Sequence, residues 1–146
     1  MPFRIEPQQL KAFLLDSELI SKADIETAEV EAEKSGKRLS DIIISKGLIK
    51  EDDLLRLQAH ILGVPFISIE KQKIDPDILR IIPEPIARRH NIIAFKKTGK
   101  DLEVAMLDPD DLGTIDFIKK QSTLRILPRL TNAASIKQAL GQYQRS

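Results

Sequence analysis

The side chains that could do chemistry are few in this sequence, and the densest group is the acidic run Asp108-Pro109-Asp110-Asp111. Carboxylates at such spacing could hold a metal ion. However, Asp-Pro initiates turns and Asp favours helix starts, and Leu112 breaks the ligand spacing of a calcium-binding loop. The sequence therefore favours a turn followed by a helix cap, and we expect no metal site and no cofactor.

The two histidines, His60 and His90, each stand apart from other reactive groups along the chain. A metal site or a general base needs a second and a third group, and the sequence provides neither. A phosphate-binding loop needs clustered glycines and a lysine at a helix start. Gly99-Lys100 is followed by Asp101, where such a loop has serine or threonine, and a hairpin turn explains it better. We therefore expect this chain not to be an enzyme by itself.

Composition excludes several classes of function. The chain of 146 residues has no cysteine, which removes disulfides, thiol nucleophiles and iron–sulfur ligands. Its net charge is +1 and its aromatic content is 4% without tryptophan, so we expect no nucleic-acid partner. Neither a signal peptide nor an apolar run of membrane-spanning length is visible. The sequence indicates a cytoplasmic protein without direct membrane insertion, peripheral to a membrane only through partners.

An internal repeat organises the first half, where residues 10–25 match residues 39–54 at an offset of 29 (39 − 10). Each copy reads as a short helix, an apolar turn and a longer helix. Ser21 predicts the start of the first longer helix, while Gly36 and Gly63 predict helix ends. Because neither copy can bury its apolar face alone, the two should pack together.

The second half changes to a pattern of short strands and helices. Residues 92–95 and 102–107 read as strands of a hairpin, and residues 124–127 as a third strand with Pro128 at an edge or end. The helix between them should place Leu112, Ile115 and Ile118 on one face. The predicted fold class is α+β: a helical tandem repeat in residues 1–63, then a small α/β domain in residues 64–146. The sheet of the second domain should be short, mixed or antiparallel, and packed by helices. The joint between the two parts should lie near residues 63–70.

Short motifs in a fixed order extend over residues 8–145. They are Arg38-Leu39 with Gly47-Leu48-Ile49, Leu62-Gly63-Val64-Pro65-Phe66, Asp75-Pro76, Ile82-Pro83-Glu84, Ala87-Arg88-Arg89, and Val104-Ala105-Met106 before Asp108-Pro109. This set resembles the N-terminal domain of type II secretion and type IV pilus assembly ATPases, which is related to the MshEN module. The resemblance implies a non-catalytic regulatory and docking domain. Its partners would be the C-terminal ATPase domain of the same chain and the cytoplasmic domain of an inner-membrane platform protein. A stand-alone adaptor is a further alternative.

Some members of that family bind cyclic-di-GMP through two copies of a pattern like Arg-Leu-Gly-x-x-Leu. In the second copy here Arg38, Leu39 and Ile43 fit the pattern and Leu54 follows, but Ser40 replaces the glycine. The first copy keeps only its apolar positions, since the others hold Gln9, Lys11, Glu18 and Ala32. We expect a structural repeat with weak or absent cyclic-di-GMP binding, and a nucleotide sensor is the alternative function.

The resemblance also points to the second half as the part that docks a partner. Arg88 and Arg89 end a predicted short helix that begins at Pro83. The hairpin lysines Lys96, Lys97 and Lys100 should extend a basic face beside them. Lys137, on the last helix, marks an alternative docking face in the same half.

Overall fold

A computed structural model describes residues 5–144 of the chain. The described chain divides into two compact units, Ile5–Leu62 and the residues from Gly63 onward. The first unit consists of α1 (Pro7–Ser17), α2 (Lys22–Ser35), α3 (Leu39–Ser45) and α4 (Glu51–Leu62). The second consists of α5 (Pro76–Leu79), α6 (Glu84–His90), β1 (Ile92–Thr98), β2 (Asp101–Met106), α7 (Leu112–Ser122), β3 (Arg125–Leu130), α8 (Ala133–Gly141) and a final 3₁₀ turn, Gln142–Gln144. The predicted α+β class is confirmed.

The helical unit has one core, which the matching positions of the repeat share. Leu14 and Ile43 are equivalent in the two copies, and so are Ile25 and Leu54; all four are almost fully buried together. Short-range hydrogen bonds set the helix boundaries as predicted. The Ser21 hydroxyl accepts the Asp24 amide N–H at 3.1 Å, and α2 ends at a left-handed glycine.

The turn of the first repeat copy carries backbone strain. Glu18 has a φ of 60°, and Gly47, at the equivalent position of the second copy, has a φ of 68°. The left-handed region costs a residue with a Cβ about 1–2 kcal/mol, whereas glycine enters it freely. The first copy therefore keeps a glycine's backbone conformation without the glycine.

Replacing Glu18 by glycine is expected to stabilise the helical unit by about 1 kcal/mol, because it removes that strain. Gly47→Ala, which places a Cβ at the equivalent left-handed position of the second copy, should destabilise the unit by about the same amount. Protection of the helical amides in hydrogen exchange measures both changes. A less stable Glu18→Gly variant would show that the Glu18 side chain matters more than its backbone conformation.

The sheet of the second unit is mixed, with strand order β1-β2-β3. β1 and β2 form an antiparallel hairpin with a register shift at Phe95, and β2 pairs with β3 in parallel. Pro128 lies opposite Val104 on the edge strand β3, where its missing N–H does not interrupt a central ladder. The third strand is longer than the predicted residues 124–127, because an edge position lets it run through the proline to Leu130.

The start of the second unit is tied to β3 and α8 by hydrogen bonds. The Leu130 N–H donates to the Pro65 carbonyl, and the Ile67 N–H donates to the Leu130 carbonyl, each at 2.9 Å. The Ile69 N–H donates to the buried Ser135 hydroxyl at 3.0 Å. Most of the segment at which the sequence predicts a joint is therefore fixed within the second unit.

One member of the helix face predicted for α7 is exposed and does not pack on the core. Leu112 is 67% exposed, although Ile118 is buried and Ile115 is packed against the core. Leu112 is the first residue of α7. Thr114, one turn before Ile118, is buried instead.

Candidate docking site

The short helix α6 carries the predicted docking arginines, and its two sides line different grooves. Pro83 precedes its first residue and Asn91, with a φ of 51°, ends it. Ala87 is buried against the core. Ile86 and His90, one turn apart, line a groove beside α7, while Arg88 lines a groove beside α8.

Tyr143 fixes the chain that leads into α6. Its hydroxyl donates to the Ile82 carbonyl at 2.7 Å and lies 3.2 Å from the Leu79 carbonyl. Burial, with a further contribution from the negative charge of Glu84, raises the pKa of Tyr143 to about 12. The side chain is buried, with 8% of its surface exposed.

The groove between α6 and α8 brings together two cations that the sequence assigned to different faces. It has a volume of about 310 Å³, with Arg88 on its α6 side and Lys137 on its α8 side. Its apolar lining comes from Leu107, Ile136 and Leu140. Arg89 is exposed but does not line the groove.

The two cations differ in how they are held. The Arg88 Nε–H donates to Glu84 Oε2 at 2.8 Å, and Glu84 also accepts a hydrogen bond from Gln144 at 3.1 Å. This arrangement orients the guanidinium along α6 while the side chain stays half exposed. Lys137 is exposed and forms no ion pair within residues 5–144.

The hairpin lysines lie away from this groove. Lys97 is five positions along β1 from Ile92 (97 − 92), or roughly 16 Å at the rise of a strand. Lys96 is 3.9 Å from Glu103, so its charge is compensated in part. The continuous basic face expected from the sequence is thus divided between α6 and the tip of the hairpin.

The second groove, between α6 and α7, has a volume of about 370 Å³ and an opposite character. The His90 Nδ1 atom is 3.6 Å from the Asp111 carboxylate, and Phe117, 47% exposed, lines the groove. Asp111 accepts hydrogen bonds from both the N–H and the hydroxyl of Thr114. The predicted turn and helix cap are confirmed at this run, but no spacing signal joined His90 to it, because the two lie on different elements.

The residues of the degenerate cyclic-di-GMP pattern lie in the helical unit and divide by burial. Leu39, Ile43 and Leu54 belong to its core. Arg38 is exposed at the residue before α3 and Ser40 is half-buried. The pattern therefore leaves Arg38 as its one well-exposed charged side chain.

Two further features of the described residues bear on function. None of the helices in residues 5–144 combines the length and the apolar character that crossing a bilayer requires. Over the same residues, no cluster of three or more potential metal ligands is present.

Known proteins are similar to this chain in sequence and in architecture. The family model described as the MshEN domain matches residues 62–146, which is more than half of the chain. The type IV pilus assembly ATPase PilB of Myxococcus xanthus is 28% identical over 135 residues, or 92% of this chain. PilB of Thermus thermophilus is 24% identical over 115 residues, or 75% of it. The chain spans only 24% and 13% of the lengths of these two relatives.

Solved structures agree with the family match. The structure of MshE with cyclic-di-GMP has a TM-score of 0.73 and 28% identity, and the similarity covers 97% of this chain and 99% of that one. The N-terminal domain of XpsE has a TM-score of 0.60 at 16% identity, covering 96% and 97%, which shows a shared fold. The chain belongs to the MshEN domain family, of the type found at the N-terminus of type IV pilus assembly and secretion ATPases.

Proposed function

We propose that this chain is a non-catalytic regulatory and docking domain of a pilus or secretion assembly ATPase. It would couple the ATPase domain of the full-length protein to the cytoplasmic domain of an inner-membrane platform protein. One observation carries the proposal. The similarity to PilB of Myxococcus xanthus extends over 92% of this chain but only 24% of the length of PilB, as expected if this chain corresponds to one domain of such an ATPase. Its location would be cytoplasmic, and peripheral to the inner membrane through the platform protein.

The second unit supplies the proposed docking residues Arg88, Arg89 and Lys137. Arginine is enriched at interface centres because its planar guanidinium loses little freedom for each hydrogen bond that it forms. Glu84 and the fixed start of α6 restrict Arg88 before any partner arrives. Such preorganisation lowers the entropic cost of association.

Reversing both arginine charges, with Arg88→Glu and Arg89→Glu, should weaken binding to the platform protein's cytoplasmic domain by about 2 kcal/mol or more, roughly 30-fold. Biolayer interferometry with the platform protein of the same secretion or pilus system measures the loss. The matched control is Lys97→Glu with Lys100→Glu, which makes the same charge change at the hairpin tip. If the hairpin variant loses binding and the α6 variant keeps it, the docking residues are misassigned.

Cyclic-di-GMP sensing is the second candidate function. It is favoured by the similarity to MshE, whose structure contains this ligand. Two observations argue against this function. The first copy of the pattern lacks its arginine, and Leu39, Ile43 and Leu54 of the second copy are buried in the core. These apolar side chains already have a structural role.

We expect cyclic-di-GMP to bind weakly or not at all. Charge-assisted hydrogen bonds contribute about 1.5–3 kcal/mol each, so the missing arginine at Gln9 removes a large part of the affinity. Isothermal titration calorimetry on the purified chain measures this, with Arg38→Ala as the comparison. Submicromolar binding that Arg38→Ala abolishes would establish the sensor instead.

A further inference from the structure

The groove between α6 and α8 contains positive charge without a carboxylate in its lining. Three further residues complete the lining already described: Asn91, Ala133 and Gly141. Its cations stand on opposite sides, with Arg88 on α6 and Lys137 on α8. An occupant that lies between the helices can therefore meet a positive charge on each side.

Both cations retain hydrogen-bonding capacity toward such an occupant. An arginine side chain has five N–H donors, and the Nε–H of Arg88 is the one that Glu84 accepts. The Lys137 ammonium group is unpaired within the described part of the chain. Glu84 compensates the charge of Arg88 in part, and a carboxylate of a partner can still accept hydrogen bonds from the remaining donors of Arg88 and from Lys137.

The apolar part of the groove adds a second requirement. Ile136 is buried, while Leu107 and Leu140 are only partly covered by the core on which they pack. These side chains line a space of about 310 Å³, which is large enough for an aliphatic side chain. A partner that carried charge alone would leave this apolar surface in contact with water.

The neighbouring groove differs in the sign of its charge. It contains the Asp111 carboxylate and the exposed ring of Phe117, and the single basic group in its lining is His90. An acidic occupant would meet a like charge there. The grooves on the two sides of α6 therefore differ in charge.

We propose that the groove between α6 and α8 binds an acidic amphipathic segment of a partner protein. One aliphatic side chain of that segment enters the groove, and flanking carboxylates pair with Arg88 and Lys137. This inference rests on the proposed docking function and adds the chemistry of the partner. In helix-in-groove recognition an amphipathic helix likewise places apolar anchors into a hydrophobic groove.

Two glycines provide matched blocking variants. Gly141 lines the proposed groove, and a Cβ placed on it meets no heavy atom within 4 Å. Gly113 lines the other groove, and a Cβ there lies 3.9 Å from Asp111 Oδ1, an ordinary contact. Both are helical residues without a positive φ, so leucine at either position is compatible with the backbone.

The test is an NMR titration of the isotope-labelled full chain with two synthetic helical peptides. One presents leucine flanked by glutamates at helical spacing, and the other has glutamine in place of each glutamate. The acidic peptide should shift amides of α6, Asn91, Leu107 and α8, and bind about tenfold tighter than the glutamine peptide. Gly141→Leu should weaken its binding about tenfold or more, whereas Gly113→Leu should leave it within about twofold.

Several results would overturn the proposal. They are equal binding of the two peptides, shifts that lie outside the groove, no binding of either peptide, and unchanged binding to Gly141→Leu. Failure of the docking function gives a different pattern. The platform domain would then not bind the chain, although the acidic peptide still occupies the groove and Gly141→Leu still blocks it.

Discussion

Removing the hydroxyl group of Tyr143 is expected to lower the free energy of unfolding of the second unit by about 1–3 kcal/mol. The Tyr143→Phe variant leaves the buried Ile82 carbonyl without its 2.7 Å donor. Tyr143→Ala also removes the ring and should cost about 3–5 kcal/mol. Hydrogen exchange of the most protected amides in β1 and β2 measures both losses. A Phe variant as stable as the original would mean that water replaces the hydroxyl at no cost.

The same side chain predicts how stability depends on pH. Burial raises the pKa of Tyr143 to about 12 in the folded chain, while an unfolded tyrosine titrates near ~10. The folded state thus holds this proton more tightly than the unfolded state. Its contribution to stability is complete below pH ~10 and is lost as the pH rises toward about 12.

The chain makes this titration direct to observe, because it has one tyrosine and no tryptophan. The ultraviolet absorbance of tyrosinate should appear with a midpoint at about pH 12 in the native chain and at about pH 10 in denaturant. A native midpoint near ~10 would show that the phenol is accessible to water.

Truncating Ile43 is expected to destabilise the helical unit by about 2–5 kcal/mol as Ile43→Ala, and by about 0.5–1.5 kcal/mol as Ile43→Val. Ile43 is fully buried among side chains from both copies of the repeat, including Leu14 and Leu54. Alanine would therefore leave a cavity. Hydrogen exchange of the α1–α4 amides measures the loss.

The exposed member of the same pattern provides the control for Ile43. Arg38→Ala should change stability by less than about 0.5 kcal/mol, because the side chain is exposed and caps no helix. If Ile43→Ala leaves stability unchanged, the role of this residue lies in binding and not in packing.

Local signals in the sequence predicted most helix boundaries. Ser21 and Asp111 each accept an amide N–H within the first turn of the helix that they precede. Gly36 and Gly63 take the positive φ that a helix end favours. These interactions reach only a few residues, so the residue type at one position is enough to predict them.

The candidate site was predicted only in part. Arg88 and Lys137 were each identified, yet as members of alternative faces, and the apolar residues between them were not. Phe117 and its groove were missed because an exposed aromatic on a helix has the same sequence pattern as a buried one. Leu112 was placed on the same helix face as Ile115 and Ile118 but is exposed, because periodicity fixes the direction of a side chain but not where the neighbouring layer ends.

The sequence by itself determined the elements, the tandem repeat and the α+β class, because capping, turn and periodicity signals act over a few residues. Only the tertiary structure decided that the sheet is mixed and that α8 packs beside α6. That packing brings Lys137 to Arg88 across 49 positions of the chain (137 − 88). Contacts at such separation depend on how whole faces fit together, and no local pattern encodes that fit.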